Sequence, residues 1–220
     1  MIHTHHIELA IKYLTGEQLE YYYAAYLNME AINKNYEKEL VTLFEQFKKA
    51  YPHSEYTHFI ESEIIPIITF HRKQDESFSE NTHIVDDAEN INSLREAVRK
   101  INSKRVYVDI WATWCSPCKR EFHFNNKLYD LLKRENTTML YISIDEDDKA
   151  EKWMEMMKYY ELGGYHIRAN DSLMADLRRL RGTDSFGIPW HILTDGNGSI
   201  IKKYVSGPSD IGTLERQLNK

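Results

Sequence analysis

The stretch Arg105 to Lys119, RVYVDIWATWCSPCK, constrains the fold of this chain more than any other. A β-type run from Val106 to Ile110 predicts a central, apolar strand. Just after it stand Cys115 and Cys118, the only two cysteines in 220 residues. Their spacing puts both sulfurs on one face of a helix's first turn, near enough to close a small disulfide ring. A thiol there meets unpaired N–H groups and the positive end of the helix dipole, which favour thiolate over thiol. The pair therefore points to disulfide exchange. The same spacing is also half of a zinc site. Zinc takes four ligands, and His123, His166 and His191 have no ligand-like spacing to the pair. No metal is expected.

The bulk numbers remove other classes. A net charge of −6 and the lack of a Lys/Arg stripe argue against a nucleic-acid partner. No run reaches the roughly 18 apolar residues of a membrane span. The polar opening with His3, His5 and His6 is not a signal peptide and reads as a disordered terminus. Two cysteines do not make a disulfide scaffold, and they fit a reducing or an oxidising compartment.

Along the chain, residues 1–71 read as a helical domain. Leu40, Leu43, Phe44, Phe47 and Tyr51 mark one helix face, and Leu19, Tyr22, Tyr23 and Tyr26 mark the face of the helix before. Ser54 is a plausible N-cap for the next helix, and Pro66 ends or kinks it. Residues 72–81 read as a polar linker. From 82 to 220, strands are predicted at Thr82 to Val85, Val106 to Ile110, Met139 to Ile144, Trp190 to Leu193 and Ser199 to Val205. A short added strand is predicted at Tyr165 to Arg168. The cysteine helix should run to about Lys133 with Phe124, Leu128, Leu131 and Leu132 inward. Gly163 and Gly164 suit a helix C-cap. Asp195-Gly196-Asn197-Gly198 is a hairpin signal.

The segment VDIWATWCSPCK, with Trp114 before the pair and Gly187-Ile188-Pro189 about 70 residues later, resembles the active-site pattern of the thioredoxin superfamily. The resemblance is to its TlpA/ResA-like branch and covers roughly residues 82–220. It implies an α/β thioredoxin fold, a mixed central sheet flanked by helices, carrying an insertion near 147–182 and preceded here by an all-helical domain. It implies a thiol-disulfide oxidoreductase without a bound cofactor, acting on protein dithiol or disulfide substrates with an external electron donor. A periplasmic or cell-envelope setting goes with that branch. A thiol peroxidase of the same fold, or a redox-switched binding module, stays open as an alternative.

The resemblance also distributes roles. Cys115 is the attacking thiolate and the more exposed sulfur, and Cys118 is the shielded, resolving thiol. Asp109 matches the buried acid of thioredoxins. A charge in an apolar strand is costly, which suits a proton acceptor for Cys118. Glu121 matches the acid of the Cys-x-x-Cys-x-x-Glu pattern, although Phe122 and His123 stand where a proline often follows. Pro189 matches the cis-proline opposite the cysteines, leaving the Ile188 backbone to pair with a substrate strand. Trp190 replaces a usual threonine and bears on substrate choice. Trp114 and Trp111 stand as the rim beside Cys115, with core packing as the other reading of Trp111.

Overall fold

The computed structural model describes residues 2–33, 36–183 and 187–219. The chain divides into two compact units, Met1–Glu76 and Ser77–Lys220.

The first unit holds four helices: α1 (Ile2–Tyr13), α2 (Gly16–Ile32), α3 (Lys38–Ala50) and α4 (Thr57–Lys73). In α3 the buried residues are Leu40, Leu43, Phe44 and Phe47, as their spacing predicts. In α2 the buried face is rotated from the expected one to Tyr23, Ala24, Leu27 and Ala31, and Tyr22 is exposed. Tyrosine suits either side of a helix because its ring is apolar and its tip polar, so the tyrosine pattern misplaced the face. The opening histidines are helical, and His3 is buried, with Nδ1 at 2.8 Å from the Tyr26 hydroxyl and Nε2 at 2.8 Å from Glu37. Ser54 does not cap α4; its Oγ accepts from the N–H of Tyr56, the capping position. Pro66 lies inside α4, which continues to Lys73 and so into the stretch read as linker. Ile60, Ile64, Ile67 and Phe70 are buried on both sides of it. At about 1.5–3 kcal/mol each, they offset the roughly 3 kcal/mol of an interior proline.

The second unit is a six-stranded sheet of β1 (Thr82–Ile84), β2 (Arg105–Trp111), β3 (Thr138–Ser143), β4 (Gly164–Arg168), β5 (Trp190–Asp195) and β6 (Ile200–Lys202), in the order β1-β4-β3-β2-β5-β6. The first four strands are parallel in the sheet and β5 and β6 are antiparallel to their neighbours. This is the mixed sheet flanked by helices expected of the thioredoxin class. The added strand is β4, and it lies between β1 and β3 rather than at an edge. Gly164 opens it instead of capping a helix. Its φ is +123°, and a Cβ there would lie 2.8 Å from the Met139 side chain and 2.9 Å from its carbonyl. Only glycine fits so close a backbone approach.

Two layers cover this sheet. On one face, α5 (Leu94–Ile101, capped by Ser93) and α9 (Asp171–Arg181) pack through Leu94, Val98, Leu173 and Leu177 on Val106, Val108, Ile110, Leu140, Ile142, Ile167 and Ile192. On the other lies the segment that begins at the cysteines. It is not one helix: α6 (Ser116–Glu121) passes through a 3-10 turn, Phe122–Phe124, into α7 (Asn125–Arg134). The break comes without a proline. It turns Phe122 inward against Trp111 and Tyr141 and leaves Phe124 exposed, so Phe122 replaces Phe124 on the buried face. Helices α8 (Ala150–Tyr159) and α10 (Ile211–Leu218) complete the unit. No described helix is long and apolar enough to cross a membrane.

Candidate active site

The site begins where β2 ends. Cys115 is the N-cap of α6, and its Sγ accepts the N–H of Cys118 at 3.1 Å. Ser116 and Pro117 fill the first helical positions, where proline's fixed φ suits the turn and its missing N–H costs nothing. The two sulfurs form a disulfide, with an S–S distance of 2.01 Å and Cα atoms 5.3 Å apart. Cys115 is 3% exposed and Cys118 0%. Cys115 is thus the more accessible only by a margin. Trp114, the residue before it, is 60% exposed. Trp111 does not form a rim; it is fully buried, edge-on to Phe122 at 5.2 Å.

A carboxylate not foreseen holds the approach to the cysteines. Asp145 accepts from the Thr113 N–H at 2.9 Å, the Thr113 hydroxyl at 2.8 Å and the Ser143 hydroxyl at 2.7 Å, all buried. Charge-assisted bonds of this kind fix a turn firmly, and this turn carries Trp114 and Cys115. The only sequence signal was a polar residue just after the apolar strand β3.

Strand alternation decides which side chains share the cysteine face. Val106, Val108 and Ile110 point to the apolar core. Asp109 points to the other layer, where it is 1% exposed. In register with it across the sheet are Tyr141 on β3 and His191 on β5, and His166 on β4 lies beyond Tyr141. All four are buried. Tyr141 shares hydrogen bonds of 2.8 Å with Asn125 and Tyr129 of α7, and it stacks on His166. His191 Nε2 lies 3.4 Å from Asp109 Oδ1, and the ring stacks on Tyr107 at 5.6 Å between centroids. Burial first, then the charges of Asp109 and Glu121, push the Tyr107 hydroxyl well above its ordinary pKa. Burial likewise raises that of Tyr141.

Glu121 is half-buried, and its carboxylate accepts the Ser209 N–H at 2.8 Å and hydroxyl at 2.7 Å. That draws it to the segment before α10, beside Gly207. The Ile188–Pro189 bond is cis, and both residues are half-buried. Trp190 departs from its expected role. It lies in the apolar core of the opposite face, 2% exposed, with its indole N–H donating to the Lys203 carbonyl at 2.7 Å. The alternation that sends Trp190 away brings His191 to the cysteine side.

Among the described residues, one group has the donors for a cation: His3, Glu37 and Glu39 in the first unit, their ligand atoms within 4.8 Å of one another. Tyr26 and Thr4 already engage these atoms, tying α1 to the start of α3. The group stands apart from the cysteines in sequence and in structural unit.

A family model described as Redoxin matches residues 89–216. The thiol-disulfide oxidoreductase ResA of a Bacillus cereus strain is 27% identical over 124 residues, covering 56% of this chain and 66% of the relative. The protein of the same name from Geobacillus kaustophilus is 36% identical over 116 residues, covering 52% and 62%. The matched stretch thus spans just under two thirds of these relatives. Among solved structures, the thioredoxin domain of a thiol-disulfide oxidoreductase from Bacteroides vulgatus is 25% identical with a TM-score of 0.44, over 54% of this chain and 82% of that one.

Proposed function

The chain belongs to the redoxin family, and from that premise we propose that it is a thiol-disulfide oxidoreductase that reduces protein disulfides through Cys115 and Cys118. The observation that carries this is the disulfide at the start of α6, with one sulfur capping the helix and the other buried a turn inside. In the reduced pair, the Cys118 N–H stabilises a Cys115 thiolate. That thiolate attacks a substrate disulfide and forms a mixed disulfide, releasing one substrate thiolate. Cys118 then attacks Cys115 Sγ, closing the internal disulfide and freeing the second substrate thiol. An external dithiol must restore the reduced pair, since no other cysteines exist in the chain.

Asp109, facing the layer that holds α6, is the proposed proton acceptor for Cys118. Glu121 is the second acid. Trp114 is the exposed surface beside Cys115, and Ile188 and Pro189 are the proposed docking edge for an extended substrate. The kinship supports an extracytoplasmic setting. The helical unit lies outside the matched residues and is proposed to position partners rather than take part in the chemistry.

Insulin reduction by dithiothreitol, run beside peroxide consumption, tests this reading. The full chain should accelerate insulin precipitation and leave peroxide nearly untouched. A fragment of residues 77–220 should do the same at a similar rate. Peroxide consumption without insulin reduction would make it a peroxidase instead, and an inert fragment would put the helices into the catalytic unit.

A further inference from the structure

Two buried polar atoms in this structure face each other without completing a hydrogen bond: Asp109 Oδ1 and His191 Nε2, 3.4 Å apart. Buried polar groups are nearly always satisfied, and an exception in a native fold calls for a reason. Here the pair lies in register on adjacent strands, Asp109 on β2 and His191 on β5. Neither is free to move away. Asp109 is 1% exposed and His191 6%, and the imidazole is held against the Tyr107 ring. Tyr107 is itself fixed, its hydroxyl donating to the Ser206 carbonyl at 3.0 Å.

Glu121 comes toward the Cε1 edge of the His191 ring. A Cβ on Gly207 would lie 2.8 Å from His191 Cε1 and 2.8 Å from Glu121 Oε2. Glycine at 207 therefore lets a buried imidazole and a half-buried carboxylate approach the same point. Imidazole between two carboxylates, one dry and one reaching the surface, is an arrangement that moves protons. The ionisable groups brought against the pair are Tyr107 from β2, Tyr141 in register beyond Asp109 on β3, and Glu121 from α6.

We propose that His191 is the second proton carrier of the exchange reaction, relaying to Glu121 the proton that Asp109 removes from Cys118. This rests on the reading of Cys115 and Cys118 as an exchange pair. In the resolving step the Cys118 S–H bond breaks and its proton goes to the Asp109 carboxylate. The Cys118 thiolate attacks Cys115 Sγ. The Cys115–Cys118 bond forms, the bond from Cys115 to the substrate sulfur breaks, and the substrate leaves as thiolate. The cysteine pair is oxidised by two electrons and the substrate disulfide is reduced by two. Asp109 passes the proton to His191 Nε2 and is a carboxylate again; the imidazolium gives a proton to the Glu121 carboxylate, which loses it to solvent, so His191 is neutral for the next cycle once an external dithiol has reduced the pair. The first step, attack by Cys115, does not need this relay.

The test is stopped-flow mixing of the pre-reduced full chain with an aromatic disulfide whose thiolate absorbs visible light, from pH 5.5 to 9. The first thiolate released reports mixed-disulfide formation and the second reports resolution. His191→Gln and His191→Leu should each slow the second release by roughly 100-fold, at the lower end of what a positioned acid–base group contributes. Both should leave the first release at the wild-type rate, and both should flatten the pH profile of the second. Where His191→Leu fails to fold, His191→Gln carries the test, with its own first release as the control for a folded site. If His191→Gln keeps the wild-type second rate and pH profile, the imidazole serves only as a hydrogen-bonding spacer and the proposal is overturned. Equal slowing of both releases also overturns it, because the effect is then structural. If the wild-type chain releases no thiolate at all, the exchange reading has failed rather than the relay.

Discussion

The two faces of the central sheet are equally buried and chemically opposite. On the side of α5 and α9, Val106, Val108, Ile110, Leu140, Ile142 and Ile167 are each 0% exposed and wholly apolar. On the side of α6 and α7, the same strands bury Tyr107, Asp109, Tyr141 and His166. One residue of offset along a strand separates a scaffold from a reactive layer. The apolar face adds the burial of its side chains to the backbone ladder that joins the strands. The polar face must satisfy each group it buries, and it does so for the Tyr141 hydroxyl through Asn125 and Tyr129; Asp109 Oδ1 and His191 Nε2 face each other unsatisfied, and Trp111 Nε1, Asn125 Oδ1 and His166 Nδ1 also lack a partner among the described residues. Burial by itself therefore does not mark a site; an incompletely satisfied polar group beside a reactive one does.

The largest expected effect separates the faces at the cysteines. Cys118→Ser should end turnover and accumulate a covalent mixed disulfide, visible as a heavier band on a non-reducing gel. Cys115→Ser should give neither turnover nor adduct. The order of attack requires this, since only the second sulfur can release the first. An adduct trapped on Cys115→Ser would exchange the two roles.

A smaller effect is expected on the apolar face. Ile110→Ala removes a fully buried side chain one residue from Asp109 and should lower stability by about 2–5 kcal/mol in denaturant unfolding. At temperatures where the variant is folded, the ratio of mixed-disulfide formation to resolution should stay that of the wild type. A changed ratio would mean that the faces are mechanically coupled and that the division into scaffold and reactive layer is too simple.

The sequence carried much of this arrangement because its strongest signals are local. β2, the helix start at Ser116 and the turn at Asp195 each follow from a few neighbouring residues. What stayed hidden depends on partners distant in sequence. The place of β4 between β3 and β1 follows from a backbone contact between Gly164 and Met139, which no local pattern announces. The cysteine segment bends at Phe122 because Trp111 and Tyr141 offer that ring a pocket. At the site, Asp109 was legible as a charge in an apolar strand. His191 gave no such signal beside the bulkier Trp190, because the facing of β5 is known only once it is paired with β2. Asp145 needed the knowledge that Thr113 would turn toward it.

The smallest effect tests whether the polar layer is as dry as the apolar one. His166, at the end of the row, is fully buried; its Nε2–H donates to the Leu162 carbonyl at 3.0 Å and its ring lies 5.0 Å from that of Tyr141. Burial pushes its pKa down from 6.5 to about 4, outweighing the hydrogen bond to Leu162, and His83 adds to the lowering. The unfolded chain therefore takes up a proton at this position as pH falls through 6.5, while the folded chain resists until about 4. Its neutral burial costs nothing above that window, and stability is lost as pH drops through it, at up to about 1.4 kcal/mol per pH unit. Denaturant midpoints from pH 7 to pH 5 should fall more steeply in the wild type than in His166→Gln, whose side chain cannot titrate. Parallel slopes would mean that water reaches the ring and that the layer beneath the cysteine segment is wet. A wet layer would also let Cys118 lose its proton to solvent directly, so the outcome at this distant histidine bears on whether Asp109 and His191 have a proton to carry.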